Sequence, residues 1–253
     1  MSYKLISMEA KGRIVTITLK RPEVMNAINK AMVKELHRAF DELRDDTEHG
    51  CVIIVGEGKN FVAGADIGEL KERKALESLA AINSALFRKI EEHPVPVIAA
   101  IQGYCLGGGC ELALACDIRV AGKSAQFGQP EVGLGIIPAA GGTQRLPRII
   151  GMGRAKEWVL TAWVYDAEEA YRVGLANHLV DDEAVMDRAI EIAERILKRG
   201  PLAVRVAKTA LNASARTGLD TGLTIESVGQ ALLFDSEDKN TRMSAFLNRK
   251  QKS

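Results

Sequence analysis

Short apolar, β-branched stretches recur along this chain with helix-like segments between them, and that alternation limits the fold more than any other feature. The stretches are Ile14–Leu19, residues 52–55, Val97–Ile101 and residues 118–121. Residues 30–44 place Met32, Leu36, Ala39 and Leu43 at helical spacing behind a capping Asn29, and residues 76–92 read as a second helix stopped by Pro94 and Pro96. Residues 106–115 begin Gly-rich and continue apolar, a loop running into a helix. Strands that return through helices pair in parallel, so the pattern predicts an α/β fold with crossover connections rather than a β-sandwich. The unbroken apolar runs at 52–55 and 97–101 suit strands covered on both faces.

Flanking segments fill in this frame. Residues 5–6 and Ile14–Leu19, with Gly12 between them, read as a hairpin. Residues 155–160 and 167–173 read as short helices, His178–Val180 as a last short strand, and residues 183–198 as a helix. Past Arg199-Gly200-Pro201 the pattern is helical only: Leu202, Val206 and Ala210 mark one face, Ile225, Val228 and Leu232 another, and Ser236 begins a last helix ending near Phe246. The expected organisation is an α/β core over residues 1–199 that carries the active site, and a helical region over residues 200–253 that packs on the core or on another subunit.

Composition excludes several classes of function. Thirty-four basic and 33 acidic residues leave a net charge of +1, without the basic footprint that phosphate contacts require, so a nucleic-acid partner is not expected. No apolar run approaches the ~20 residues that span a bilayer, and the opening Met1-Ser2-Tyr3-Lys4 shows no apolar leader. Cys51, Cys105, Cys110 and Cys116 lack the spacing and His neighbours of a zinc site and read as buried reduced thiols. The expectation is a cytoplasmic protein with no membrane partner and no metal.

Two Gly-containing turns and two carboxyls carry the candidate chemistry. Phe61-Val62-Ala63-Gly64-Ala65-Asp66-Ile67 follows the strand at 52–55, and Gly103-Tyr104-Cys105-Leu106-Gly107-Gly108-Gly109-Cys110-Glu111-Leu112 follows Val97–Ile101. Small residues let backbone approach a ligand, and free N–H groups at a helix start favour developing negative charge. A pair of such donors from separate loops would make an oxyanion hole; the bland reading of each turn is tight packing. Neither turn has the Lys-Ser/Thr of a P-loop, and Gly151-Met152-Gly153 does not follow a clear strand. Glu111 opens an otherwise apolar helix, and Glu131 lies in the apolar, Gly-rich Phe127-Gly128-Gln129-Pro130-Glu131-Val132-Gly133. Carboxyls in such surroundings suit general acid–base work with raised pKa values. A helix-start Glu meeting the dipole and a surface loop Glu are the alternatives.

Taken in order, these segments resemble the enoyl-CoA hydratase/isomerase (crotonase) family. The resemblance covers almost the whole chain: Arg21-Pro22 with Asn26-Ala27, Ala63-Gly64-Ala65-Asp66-Ile67, Gly107 to Ala113, Asp117-Ile118-Arg119, Ala125 to Glu131, and Gly141-Gly142-Thr143-Gln144-Arg145-Leu146. It implies a crotonase-like spiral of ββα units followed by a helical trimerisation region, in a homo-oligomer that is a trimer or a hexamer built from two trimers. It implies that the backbone N–H groups of Ala65 and Gly108 hold the thioester carbonyl of an acyl-CoA. Glu111 would hold and deprotonate the water that attacks C3, and Glu131 would exchange a proton with C2.

The implied activity is reversible hydration of a trans-2-enoyl-CoA in fatty-acid β-oxidation or related acyl-CoA metabolism. No separate cofactor is needed, because coenzyme A is part of the substrate. Ala63, Asp66, Ile67, Gly68, Leu70, Pro130, Gly133 and Ala139 are the further substrate- and CoA-binding candidates. Two of these depart from the hydratase pattern: Ala139 stands where many hydratases have Gly, and Gly68 where many have a Lys that meets CoA phosphates, with Lys71, Arg73 and Lys74 close behind. The closing Ala245-Phe246-Leu247-Asn248-Arg249-Lys250 resembles a segment that in relatives reaches the CoA of a neighbouring subunit. Two other functions are open to the same fold: a 3-enoyl to 2-enoyl-CoA isomerase, which needs Glu131 alone, and a non-catalytic RNA-binding protein.

Overall fold

The computed structural model describes residues 3–250, with side chains through residue 248. Met1, Ser2 and the side chains of Arg249 and Lys250 in the closing basic segment lie outside the described residues.

Strands β1 (Ile6–Lys11) and β2 (Ile14–Leu19) form an antiparallel hairpin, with Ile6 opposite Leu19, turned by Gly12 at φ 60°. β1 runs well past the expected residues 5–6. It is an edge strand with an exposed outer half, so Glu9 and Lys11 carry no hydrophobic signal. Helix α1 (Lys30–Asp45) starts as expected, with Asn29 Oδ1 accepting from Met32 N at 2.8 Å. After β3 (Cys51–Gly56), the single helix expected over 76–92 is broken. The chain forms α2 (Ile67–Glu72), α3 (Ala75–Leu79) and α4 (Ile82–Glu91). The break falls at Ala81, in the left-handed region at φ 49°. That conformation costs a non-glycine residue about 1–2 kcal/mol, and no Gly or Pro announces it in the sequence.

Next come β4 (Val97–Ile101), β5 (Tyr104–Leu106), α5 (Gly108–Ala115), β6 (Ile118–Gly122) and β7 (Gln126–Gly128). Helices α6 (Gly142–Ile150) and α7 (Met152–Thr161), strand β8 (Val164–Asp166), α8 (Ala167–Arg172), β9 (His178–Val180) and α9 (Val185–Leu197) complete the α/β part. The large sheet has the order β1-β2-β3-β4-β6-β9 and is parallel from β2 onward; β5, β7 and β8 form a second, small sheet. Bridges Ile28↔Ala65 and Val62↔Cys105 extend the small sheet. Each pass therefore visits the large sheet, then the small one, then a helix: β2, Ile28, α1; β3, residues 62–65, α2 to α4; β4, β5, α5; β6, β7, α6 and α7. This is the ββα spiral.

Side-chain alternation explains why the long strands were readable. In β3, Val52 and Ile54 point into the main core with α1, α4 and α5, while Cys51 and Ile53 point to the opposite face against α9. All four cysteines are free and buried. The C-terminal helical region comprises α10 (Pro201–Ser214), α11 (Leu219–Phe234) and α12 (Glu237–Lys250). Buried Lys208 fastens α10 to the body: its Nζ donates to Asp117 Oδ2 at 2.7 Å and to the Val95 carbonyl at 3.1 Å. Helix α11 has no buried residue.

Candidate active site

Helix α5 is the pivot of the site. Every one of its residues is buried. It lies so close to the segment 62–65 that a Cβ on Gly109 would sit 2.2 Å from the Val62 carbonyl oxygen, so only glycine allows this packing. Arg119 from β6 secures the other end. Its guanidinium donates to the Ala113 and Cys116 carbonyls, satisfying C-terminal acceptors of the helix, and to Leu175 O.

This packing sets two backbone donors side by side. Gly108 is the first residue of α5, so its N–H has no partner within the helix. A Cβ on Gly108 would lie 3.5 Å from the Ala65 nitrogen. The hydrogen bonds of the Ile28↔Ala65 bridge fall on Gly64 O and Asp66 N, on either side of Ala65 itself. The N–H groups of Ala65 and Gly108 thus meet at one end of α5 with the helix dipole behind them.

Both candidate carboxyls reach the same place. Glu111, in the first turn of α5, is 4% exposed. Its Oε1 accepts from Ala140 N at 2.7 Å and Gly142 N at 2.8 Å. Burial raises its pKa, and these two donors and Arg145 oppose the rise. Glu131 sits in the 3-10 turn Pro130–Leu134, where a Cβ on neighbouring Gly107 would lie 3.2 Å from its Oε1. Burial pushes Glu131 up to about 7, its own backbone N–H opposes this, and the charge of Glu111 adds to it. Buried Gln129, with its amide nitrogen turned toward Glu131, donates to both carboxylate oxygens at 3.2 and 3.3 Å.

A cavity of about 480 Å³ opens over these groups. Ala63, Ala65, Ile67, Leu70, Gly108, Glu111, Pro130, Glu131 and Ala139, all picked from the sequence, line it. Asp66, Gly68 and Gly133 are not on its wall. Asp66 caps α2 by accepting from Gly68 N and Glu69 N, and pairs with Arg21 at 3.1 Å. Gly68 lies in the first turn of α2, and Gly133 faces Ala162. Arg73 lines the cavity, so one of the three basic residues after Gly68 reaches it.

Sequence reasoning did not find the Ala140 and Gly142 donors, nor Arg145 behind them. The Gly141-Gly142 pair was the available signal, since Gly141 adopts φ 116°. Among the described residues no cluster of three or more His, Cys, Asp or Glu could hold a metal ion, and no helix is long and apolar enough to cross a membrane.

Known proteins resemble this chain over nearly its whole length. The family described as enoyl-CoA hydratase/isomerase matches residues 9–253. A short-chain-enoyl-CoA hydratase of Clostridium acetobutylicum is 42% identical, over 99% of this chain and 97% of its own length. A crotonyl-CoA hydratase of Syntrophomonas wolfei is 44% identical, over 99% and 98%. The crystal structure of an enoyl-CoA hydratase from Bacillus anthracis superposes with a TM-score of 0.93 at 39% identity, covering 97% of each chain.

Proposed function

Since this chain belongs to the enoyl-CoA hydratase/isomerase family, we propose that its cavity hydrates trans-2-enoyl-CoA thioesters by the joint action of Glu111 and Glu131. The protein is an enoyl-CoA hydratase, a hydro-lyase that converts trans-2-enoyl-CoA reversibly to 3-hydroxyacyl-CoA. The observation behind the residue roles is the convergence of two buried carboxyls and two unsatisfied backbone donors on one cavity.

The thioester oxygen accepts from the N–H groups of Ala65 and Gly108. Glu111 keeps Oε1 on its two backbone donors and uses Oε2 to hold water. As Oε2 takes a proton, the water oxygen attacks C3 and the π electrons move to the thioester oxygen as an enolate. The oxyanion donors meet that charge; losing one such donor typically costs about 10²–10³ in rate. Glu131 then gives its proton to C2. Dehydration runs the same steps backward, with Glu131 removing the C2 proton and Glu111 protonating the leaving hydroxyl. Coenzyme A enters as part of the substrate, and no further cofactor is called for. Ala63, Ile67, Leu70, Pro130 and Ala139 contact the substrate, and Arg73 offers a cation to it.

In this reading the enzyme is a cytoplasmic homo-oligomer, a trimer or a pair of trimers, serving fatty-acid β-oxidation or a related acyl-CoA pathway. Four unpaired buried thiols suit a reducing compartment. Leu219, Leu223, Val228 and Leu232, on two sides of α11, are all exposed, apolar surface that neighbouring copies would cover. Light scattering should give three or six times the mass of the chain, and a monomer would refute the assembly. Crotonyl-CoA mixed with pure protein should lose its conjugated-enoyl absorbance. No loss with crotonyl-CoA or with longer enoyl-CoAs would sink the hydratase assignment.

A further inference from the structure

Behind the loop that clamps Glu111 lies a second cavity, of about 420 Å³, bordered by Arg88, Arg145, Arg148, Arg216 and Glu91. The loop divides the two spaces: Ala139 and Ala140 line the substrate cavity, and Gly141 lines the arginine-rich one. Arg145 of α6 crosses directly beneath this loop. A Cβ on Gly141 would meet the tip of the Arg145 guanidinium, and the φ of 116° at Gly141 is a backbone conformation that favours glycine.

Arg145 Nη1 donates to the Ala140 carbonyl at 3.1 Å, on the residue whose N–H donates to Glu111. Its Nε and Nη2 donate to both oxygens of Glu91 at 2.9 and 3.2 Å, a two-pronged pair only partly open to solvent. Arg216, just past α10, pairs with Glu91 and Glu92, and Asn212 of α10 donates to the Glu91 carbonyl at 2.9 Å. Burial pushes the Glu91 carboxyl up, but Arg145 and Arg216 outweigh it and hold it below its ordinary value. Glu91 is thus an anion shared between two arginines, one from the α/β body and one from the C-terminal helices.

We propose that Arg145 is a positioning residue for Glu111, and that Glu91 and Arg216 anchor it, so that the C-terminal helical region holds the catalytic loop in register. Arg145 touches no reacting atom in this arrangement. It fixes the Ala140 carbonyl, on the far side of the Ala140 Cα from the N–H that aims Glu111, and it lends a positive charge to the pocket. The charged groups facing Glu111 are Arg145 from α6, which lowers its pKa, and Glu131 from the 3-10 turn, whose own pKa the charge of Glu111 raises. This inference rests on the catalytic role given to Glu111 above.

The test compares Arg145→Gln, Arg145→Lys, Glu91→Gln and Arg216→Gln with the wild-type enzyme on crotonyl-CoA. Displacement of a catalytic group by a remote change costs up to about 10². Arg145→Gln should therefore lose about ten- to a hundredfold in kcat with little change in KM, and the acid limb of its pH profile should move to higher pH. Arg145→Lys should restore the pH limb and only part of kcat, because it keeps the charge without the fork. The partly exposed Arg216→Gln should fold normally and lose less, in the same direction. The Arg145→Gln/Glu91→Gln pair should be no worse than Arg145→Gln alone. Arg148→Gln, in the same cavity but outside the chain of contacts, should leave kcat unchanged.

Infrared titration of the Glu111 carboxyl, with Glu111→Gln as the subtraction reference, should show it titrating at higher pH in Arg145→Gln. That measurement does not depend on turnover. If the wild-type protein hydrates no enoyl-CoA, the catalytic reading falls and the titration decides the positioning. An unchanged Glu111 titration, or a loss of kcat/KM that appears wholly in KM, would overturn the proposal.

Discussion

Glu111 and Glu131 face one cavity from two kinds of local structure. Glu111 stands on a helix that is buried along its whole length, fastened by Arg119 at one end, with its own carboxylate clamped by two backbone donors. Glu131 stands in a 3-10 turn whose Leu134, Ile136 and Ile137 neighbours are exposed. Donors that fix a carboxylate also favour its charge, so Glu111 is held for a base. Glu131, raised to about 7 first by burial and then by the charge of Glu111, is suited to carry a proton. The same residue type serves two roles because its surroundings differ.

The largest effects should come from the carboxyls. Glu111→Gln and Glu131→Gln should each lower hydration kcat by about 10²–10⁴ while leaving the fold intact. Isomerisation of a 3-enoyl-CoA separates them, since it needs one group to move a proton between C4 and C2. Glu131→Gln should abolish it, and Glu111→Gln should largely spare it. Equal loss in both variants would break the division of roles.

Packing around the two groups should differ in the same sense. Gly109→Ala forces a methyl against the Val62 carbonyl oxygen and should destabilise the protein by about 1–3 kcal/mol, read as a lower thermal midpoint. Gly133→Ala, in the turn that carries Glu131, meets nothing nearer than 3.9 Å and should stay within about 0.5 kcal/mol of wild type. Comparable losses at both sites would mean that the turn is as tightly built as the helix.

Titration tests the pair as a unit. Hydration starts from ionised Glu111 with protonated Glu131, and dehydration from the reverse, so both directions need the pair to carry one proton. Since the overall reaction takes up no proton, kcat/KM should follow one bell-shaped curve in both directions. The pair loses its last proton as pH rises through about 7, the value to which burial lifts Glu131, so activity should decline above it. Profiles of different shape in the two directions would show that another group titrates.

The legible parts of the molecule are those in which burial and periodicity coincide. Helix α1 and strands β2 and β4 appear within a residue of expectation, because their apolar positions repeat and Asn29 marks a start. Strands β5, β7 and β8 span three residues each, too few for a period to register. The break at Ala81 was illegible, since its left-handed backbone is not encoded by residue type. At the site, Glu111 and Glu131 stood out as carboxyls in apolar company. The role of Arg145 did not, because a chain of contacts through Glu91 to Arg216 joins residues far apart in sequence.

Ala139 offers the smallest and most selective probe of the contrast. It lines the substrate cavity and directly precedes Ala140, whose N–H clamps Glu111. Ala139→Gly removes one methyl and gives the unfolded chain more freedom, worth about 0.4–1 kcal/mol of stability. It keeps the peptide N–H, so the clamp on Glu111 is loosened rather than lost. If that whole freedom were felt at the reacting geometry, hydration kcat would fall by no more than about fivefold. Isomerisation through Glu131 does not use the clamp on Glu111, so it should feel only the change in the cavity wall and fall less than hydration. The ratio of hydration to isomerisation rates in one preparation therefore reads the loop directly, with variation in folding and concentration cancelled. A ratio unmoved by Ala139→Gly would show that Arg145 and the Gly142 donor suffice to hold Glu111, and that the methyl on residue 139 shapes only the cavity wall.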